Sequence, residues 1–197
     1  MPLQKGEYYI ADDIVVHNPR PNRPVLSDSR PTESEWGDWR WQLAHGETAL
    51  AECLAHLDEP FDAEARQRYP PVATPYYLSL ARSRRLSDPI LRQCLPASEE
   101  LDRGQPDGLD EARVSPVSRL VHRYPDRALL VTTNVCPLRC RHCMRKRLWH
   151  DRGAVISEVE VAAALDYLSR TPAIREVILS GGDPLILDDE FLERLIG

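Results

Sequence analysis

The residues that could do chemistry are concentrated in one segment, CPLRCRHCMRKR, which runs from Cys136 to Arg147. Its cysteines, Cys136, Cys140 and Cys143, have the spacing C-x3-C-x2-C. Thiolates bind zinc and iron–sulfur clusters, but a structural zinc site normally has four protein ligands. The spacing therefore leaves three interpretations open: a 4Fe–4S cluster with one open iron, a zinc site completed by a histidine, or cysteines without a metal.

A second candidate loop, GGDP, occupies residues 181–184. Glycine lets a backbone approach a ligand closely, so exposed carbonyl groups at Gly181 and Gly182 could hold an ammonium group. Taken alone, the motif is also compatible with a simple turn. Because it follows the next predicted strand after the cysteine segment, the two loops together favour the open cluster.

Each of these loops follows a predicted buried strand. The first strand, ALLVTTNV, covers residues 128–135, and the second, EVILS, covers residues 176–180. Both are short runs of apolar and β-branched residues, and a helix between two strands indicates parallel βα units. Because the carboxyl ends of parallel strands meet at one edge of a sheet, we expect both loops to open on the same edge.

Capping signals place the helices of these units. Ser157 and Glu160 have the spacing of a capping box and start a helix that Pro172 ends. Asp188 or Asp189 caps a further helix near the end of the chain. The order strand, loop, helix, strand, loop, helix predicts an α/β fold.

The segment before these units is predicted to be helical. The pairs Thr74-Pro75 and Asp88-Pro89 are typical of helix starts, and apolar residues recur there at helical spacing. We predict an N-terminal arm at 1–34, a helical region at 35–112 and the βα units at 113–197, with a linker or loop at 102–116. The residues at helical spacing are Trp36, Trp39, Leu43, Leu50, Leu54 and Leu57.

The composition is that of an ordinary globular protein, with 42% apolar and 28% charged residues. No run of about 20 apolar residues could span a membrane, and the N-terminus lacks the layout of a secretory signal. The odd count of five cysteines does not suit a secreted disulfide framework. We therefore expect a cytoplasmic protein that does not bind membranes.

The distribution of charge points to a small anionic ligand. The net charge of −6 argues against general binding of nucleic acid, but between residues 113 and 152 only Asp126 and Asp151 oppose the basic residues. Such a segment indicates a site for phosphate or carboxylate groups, with a solvated basic surface as the alternative. The basic residues are Arg113, Arg119, Arg123, Arg127, Arg139, Arg141, Arg145, Lys146, Arg147 and Arg152.

Together these segments resemble the lysine 2,3-aminomutase family of radical S-adenosylmethionine (SAM) enzymes. The resemblance runs from about Trp36 to Gly197, and it is carried by WGDWRWQL, TPYYLSL, VSPVSRLVHRYPDRALLVTTNVCPLRCRHCMRKR and IREVILSGGDPLIL. It implies the start of a partial (β/α) TIM barrel preceded by an N-terminal helical region. The barrel is incomplete in this chain, because two βα units cannot close it.

The resemblance also implies a role for each candidate residue. The open iron of a 4Fe–4S cluster would bind the amino and carboxylate groups of SAM, and reductive cleavage of SAM would start the radical chemistry. Pyridoxal 5′-phosphate (PLP) would carry the migrating amino group. The implied contacts are Cys136, Cys140 and Cys143 to the cluster; His142 to the adenosyl group and Gly181, Gly182 and Asp183 to the methionine amino group of SAM; Arg123, Tyr124 and Arg127 to PLP; and Arg145 to the substrate α-carboxylate.

The substrate implied by the resemblance is an amino acid, with lysine favoured. Glutamate 2,3-aminomutases and the aminomutases that modify a lysine of translation elongation factor P share these motifs. The resemblance further implies an electron donor such as flavodoxin or ferredoxin, and a homo-oligomer for the full-length enzyme. From another class of protein, the alternative is a structural zinc module that binds an anionic partner through its basic segment.

One requirement of PLP chemistry is not met. A PLP enzyme needs a lysine for its resting Schiff base, and the two lysines of this chain, Lys5 and Lys146, do not match the position of that lysine in the family. We therefore expect this sequence to be the N-terminal part of a longer enzyme, without a catalytic residue of its own.

The isolated 197 residues are accordingly predicted to be inactive as an aminomutase. Incubation of the cluster-loaded chain with reductant, SAM, PLP and L-lysine should yield no β-lysine, as measured by chromatography. Formation of β-lysine above the level of a sample without SAM would contradict this expectation.

Overall fold

The computed structural model describes residues 31–101, 107–150 and 155–197, and the backbone of residues 8–11 and 14–17. Much of the predicted arm at 1–34, and the part of the predicted linker at 102–106, lie outside the described residues. The chain divides into two compact units, one formed by residues 1–59 and 73–91 and the other by residues 60–72 and 92–197. The domain boundaries predicted at residues 34 and 112 stay a prediction.

The first unit is mainly helical. Strands β1 and β2 form an antiparallel pair before the helices. Among the described residues, no helix of the chain combines the length and the apolar character needed to cross a membrane. The elements up to residue 94 are β1 (Tyr8–Ala11), β2 (Ile14–His17), α1 (Glu33–Gly37), α2 (Trp39–Ala44), α3 (Gly46–Ala55), α4 (Ala63–Arg68), α5 (Pro75–Ser79) and α6 (Leu91–Cys94). Of these, α4 and residues 92–94 of α6 belong to the second unit.

The helical prediction is confirmed in type and corrected in its boundaries. WGDWRWQL forms two helices because Asp38 ends α1 and caps α2, its carboxylate accepting the N–H of Arg40 at 2.8 Å. Aspartate competes for nearby backbone donors in this way, which favours helix ends over helix interiors. The Thr74-Pro75 start of α5 is confirmed, whereas α6 begins at Leu91 and not at Pro89.

The second unit contains a three-stranded sheet with the order β3–β4–β5, where β3 is Leu120–Tyr124, β4 is Arg127–Thr133 and β5 is Glu176–Gly181. β3 pairs with β4 antiparallel, and β4 pairs with β5 parallel. The parallel βα arrangement that the sequence predicts is therefore confirmed. β3 was not predicted, because SRLVHRY mixes apolar and basic residues without a clear period of two.

β5 is less buried than predicted. The sequence predicts a second buried strand, but Val177 and Ile178 are 39% and 41% exposed, while most side chains of β4 are buried. β5 lies at the edge of the described sheet, and β4 lies between two neighbours. An apolar run specifies a strand, but the burial of that strand depends on the elements that pack against it.

Two helices follow the strands, α7 at Glu158–Ser169 and α8 at Asp189–Ile196. The predicted capping box is confirmed, since Ser157 accepts the N–H of Glu160 and the Glu160 carboxylate accepts the N–H of Ser157. The Glu160 carboxylate also accepts bonds from Ser118 and Arg119. The backbone N–H of Ser157 is the main reason that the pKa of Glu160 is lowered to about 2, so this link between α7 and the start of β3 is ionised at neutral pH.

The core of the second unit lies under one face of the sheet. Leu120 and Leu130 are 0% and 4% exposed, and they pack with Ala164 of α7. Partly buried side chains of α7 and α8 extend this cluster. The other members of the cluster are Ala128 and Ile156, with Val117, Val161, Tyr167, Leu168, Ile174, Leu179, Phe191 and Leu195 around them.

The glycines after β5 lie directly against the end of β4. The Gly182 N–H donates to the carbonyl of Thr133 at 2.5 Å, and the Asp183 N–H donates to the carbonyl of Val135 at 2.8 Å. A Cβ atom on Gly182 would lie 2.0 Å from the Val135 oxygen, and Gly181 has a φ of +127°. Both positions therefore require glycine, and the two predicted loops do open on the same edge of the sheet.

Replacing Gly182 by alanine is expected to destabilise the second unit. The added methyl group overlaps backbone atoms that cannot move aside as a flexible side chain can, and overpacking of this kind costs about 1–3 kcal/mol. Hydrogen exchange of the β4 amides should therefore be faster in Gly182→Ala than in the unchanged chain.

Gly37→Ala is the matched control, because nothing lies within 4 Å of the position where its Cβ would be. Alanine in place of a helical glycine is neutral or favourable, by up to about 1 kcal/mol. Equal protection of β4 in both variants would contradict the close packing described for Gly182.

Candidate functional site

The cysteine loop, residues 136–147, begins three residues after Thr133, the last residue of β4. Its centre is a tight turn in which the Cys143 N–H donates to the carbonyl of Cys140 at 3.0 Å. The Arg145 N–H points at the Cys143 sulfur, 3.4 Å away. All three cysteines are free thiols that are partly exposed, and the side chain of His142 between them faces solvent.

The three thiols are close enough to influence one another. Burial first, and then the nearby Cys143, Asp183 and Cys140, raise the pKa of Cys136 to about 11. The pKa of Cys140 is raised for the same reasons, burial first and then Cys143. A metal that binds thiolates here must displace their protons, so metal binding is stronger at high pH.

The three thiols are a donor set that fits a cluster site. Within the parts of the chain that the structure describes, no three His, Cys, Asp or Glu side chains are grouped so that they could hold one metal ion. Each thiolate of a cubane cluster binds a different iron, so three thiols of a cluster site do not have to converge on one point. Three neighbouring, partly exposed thiols on one loop meet that requirement.

The glycine loop, residues 181–184, lies beside the cysteine loop. Asp183 influences the pKa of Cys136 electrostatically, and its N–H is bonded to the carbonyl of Val135. Its carboxylate accepts the N–H of Leu185 at 3.0 Å and so caps the 3-10 helix Pro184–Ile186. The structure thus brings Gly181, Gly182 and Asp183 together with the cysteines, as the sequence predicts.

Arg145, the predicted carboxylate ligand, is already paired with a protein carboxylate. Its Nε and Nη2 atoms donate to the two oxygens of Glu111 at 3.0 and 2.6 Å. Its Nη1 atom lies 3.4 Å from the hydroxyl of Ser180, at the carboxyl end of β5. Arg145 therefore spans from Glu111 to the strand that carries the glycine loop.

Glu111 is a buried residue that no sequence pattern singles out. It lies in the 3-10 helix Glu111–Val114, is 3% exposed, and also accepts a bond from Arg147 at 2.8 Å. Although burial opposes ionisation, the bonds from Arg145 and Arg147 hold the pKa of Glu111 below its usual value. A single glutamate in a loop rich in Gly and Pro gives no periodic signal, so only its tertiary contacts reveal it.

The remaining basic residues of the cysteine loop are also engaged. Arg139 donates to the carbonyls of Pro70 and Trp149, while Arg141 and Lys146 both donate to Glu100. The alternative that these side chains form a solvated basic surface is therefore wrong for this loop. Protein carboxylates from outside residues 113–152, Glu100 and Glu111, oppose the basic residues.

The three predicted PLP contacts lie at the other end of the sheet. Arg123 and Tyr124 end β3 and Arg127 begins β4, whereas the cysteine loop follows the last residue of β4. Seven residues of extended strand span ~20 Å. Arg127 is paired with Asp126 and Glu176, at 3.3 and 3.5 Å. The structure does not bring Arg123, Tyr124 and Arg127 together with the cysteine and glycine loops.

Comparison with known proteins gives a family match within the second unit. Residues 130–196, which include β4, the cysteine loop, α7 and the glycine loop, match the Radical SAM superfamily. This is the segment in which the thiols and the glycine loop meet at one edge of the sheet.

Whole-chain comparison finds aminomutases. The chain is 38% identical over 176 residues to the L-lysine 2,3-aminomutase of Acetoanaerobium sticklandii, covering 85% of this chain and 42% of that protein. It is 36% identical to the L-lysine 2,3-aminomutase of Clostridium subterminale, over 84% of this chain and 42% of that protein. It is 31% identical to the glutamate 2,3-aminomutase of Clostridioides difficile, over 87% and 42%. The chain thus spans about 42% of the length of these relatives.

Removal of the Glu111 carboxylate is expected to destabilise the second unit. Glu111→Ala leaves Arg145 and Arg147 without their shared partner, and breaking a buried ion pair on one side costs about 3 kcal/mol or more. The exposed Glu158, whose side chain is 78% exposed and pairs with Arg194, is the control, and Glu158→Ala should cost roughly 0.5 kcal/mol. Hydrogen exchange of the β4 amides measures both, and equal losses would contradict the buried role of Glu111.

Proposed function

We propose that the chain, whose residues 130–196 match the Radical SAM superfamily, forms the cluster- and SAM-binding part of an amino-acid 2,3-aminomutase, an isomerase. The observation that carries the proposal is the meeting of two loops at one sheet edge. Three thiols lie on the loop after β4, and the glycine loop after β5 is hydrogen-bonded to the same segment. Ligands of parallel sheets bind at this edge.

In this proposal Cys136, Cys140 and Cys143 hold a 4Fe–4S cluster whose fourth iron is left to SAM. When bound, a reduced cluster would supply the electron for reductive cleavage of the SAM sulfonium. Gly181 and Gly182 hold the methionine amino group through their carbonyl oxygens, and Asp183 keeps the loop in place by capping the next turn. His142, exposed between two of the cysteines, is available to the adenosyl group.

Arg145 can bind a substrate carboxylate without leaving Glu111. A guanidinium has five N–H donors in a planar fork. Glu111 binds the side of the guanidinium formed by Nε and Nη2. The end formed by Nη1 and the second N–H of Nη2 can still donate to both oxygens of a substrate carboxylate. Nη1 faces Ser180 next to the glycine loop, which favours a carboxylate bound close to SAM.

The contacts to PLP remain predictions. The position of Arg123, Tyr124 and Arg127, about one strand length from the cysteines, gives no support to a phosphate site next to the cluster. Lys146 donates to Glu100 at 2.5 Å and lies over the ring of Tyr69. These contacts engage its amino group, so they do not favour a Schiff base with PLP at Lys146. The use of PLP is therefore proposed for the whole protein from its similarity to lysine 2,3-aminomutases.

Lysine is the proposed substrate. Relatives named L-lysine 2,3-aminomutase are 38% and 36% identical to this chain, and the relative named glutamate 2,3-aminomutase is 31% identical. A flavodoxin or ferredoxin as electron donor and a homo-oligomeric state stay predictions. The alternative of a zinc module with an anion-binding surface is less well supported, because protein groups occupy the basic side chains of the cysteine loop.

The proposal is tested by anaerobic reconstitution with iron and sulfide. The chain should bind about four irons and develop a visible charge-transfer absorption that dithionite bleaches. Addition of SAM should change the electron paramagnetic resonance spectrum of the reduced cluster. Cys140→Ser should bind less iron and lose the SAM response, whereas Cys53→Ser, in α3 of the other unit, should behave as the unchanged chain.

Two outcomes contradict the proposal. Stoichiometric zinc without iron after purification and reconstitution is one of them. A stable cluster whose resonance spectrum does not respond to SAM is the other.

A further inference from the structure

We propose that Glu100 is a positioning residue of the cysteine loop: it holds the turn between Cys140 and Cys143 and compensates the positive charge beside the cluster. The proposal rests on the proposed function, since it assumes that the three cysteines bind a 4Fe–4S cluster. It goes beyond that function because Glu100 lies outside the cysteine and glycine loops.

Glu100 binds two cations that flank Cys143 in sequence. Its Oε1 accepts the Nε of Arg141 at 2.9 Å, and its Oε2 accepts Nη2 of Arg141 and the Nζ of Lys146, the latter at 2.5 Å. The Arg141 pair is bidentate, which fixes the guanidinium in orientation as well as in position. The side chains are only partly accessible, with 22% exposure for Glu100, 10% for Arg141 and 24% for Lys146.

Aromatic rings complete the environment of the same two cations. Arg141 lies 5.4 Å from the ring centroids of both Tyr69 and Trp149, and Lys146 lies 4.9 Å from the ring of Tyr69. The Tyr69 hydroxyl donates to the backbone carbonyl of Glu100 at 3.4 Å. Glu100 and Tyr69 therefore form one binding site for Arg141 and Lys146 within the second unit.

The position of Glu100 is itself fixed. It ends the 3-10 helix Ser98–Glu100, and its Oε1 accepts the N–H of Ala97 at 3.2 Å. The backbone of the cysteine loop is tied nearby, since the Arg141 N–H donates to the carbonyl of Gln93 at 2.9 Å. A carboxylate on a fixed helix end can thus hold the residue between Cys140 and His142 in one place.

The arrangement sets both geometry and charge at the thiols. Supporting bonds of this kind orient metal ligands, and their loss commonly weakens metal binding about 10–100-fold. Removal of the Glu100 carboxylate would leave the positive charges of Arg141 and Lys146 uncompensated at the cysteine loop. Positive charge near an iron–sulfur cluster favours the state that has gained an electron, so the reduction potential of the cluster should rise.

The test compares Glu100→Gln with Glu99→Gln in the reconstituted 197-residue chain. Both changes remove one negative charge, but Glu99 is exposed and one residue away. Glu100→Gln should lose iron to a chelator about tenfold faster than the unchanged chain, and its midpoint potential in a mediated redox titration should be more positive. Glu99→Gln should match the unchanged chain in both measurements.

A third variant separates charge from simple loss of folding. Lys146→Met removes a cation from the same site, so its midpoint potential should move in the negative direction. The double variant Glu100→Gln with Lys146→Met should have a potential between those of the single variants. A role in folding alone gives no reason for shifts of opposite sign.

The outcomes distinguish this proposal from the proposed function. If the unchanged chain forms a cluster that responds to SAM, but Glu100→Gln retains iron and has the same potential as Glu99→Gln, the role of Glu100 is refuted and the proposed function stands. If the unchanged chain forms no cluster, both are refuted. Faster iron loss and opposite potential shifts support the positioning role.

Discussion

The parallel pairing of β4 with β5 is the constraint on which the site depends. It places Thr133 opposite Gly181, so that the chain leaves both strands at one edge. Gly182 and Asp183 then bond to the carbonyls of Thr133 and Val135, an approach that a side chain at Gly182 would prevent. Because the cysteine loop begins at that point, the backbone bonds between the two loops fix where a ligand of both would lie.

Charge pairing is the second level of organisation in this site. The cysteine loop carries Arg and Lys side chains that would repel one another if they were left without partners. Glu100 is partly exposed and Glu111 is buried, and each forms ion pairs with two of these cations. The loop is therefore held by groups distant in sequence, while its thiols and His142 remain accessible to a ligand.

Several features were predictable because they depend on neighbours in sequence. The Ser157 capping box, the Thr74 cap before Pro75 and the strand before the cysteines are local patterns, and the structure confirms them. The exposure of β5 and the division of WGDWRWQL at Asp38 were not predicted. The burial of β5 depends on its place at the edge of the described sheet. At Asp38, a hydrogen bond from the backbone to the side chain interrupts the helical period.

The sequence by itself determined the chemistry of the site: three thiols at C-x3-C-x2-C spacing, a glycine loop one βα unit later, and an arginine suited to a carboxylate. Tertiary structure alone decided which of these groups meet. It joined the cysteine and glycine loops through strand pairing, and it placed Arg123, Tyr124 and Arg127 at the opposite end of β4. It also revealed Glu100 and Glu111, because these carboxylates are recognised by the cations that surround them, and those lie 30 to 50 positions away along the chain.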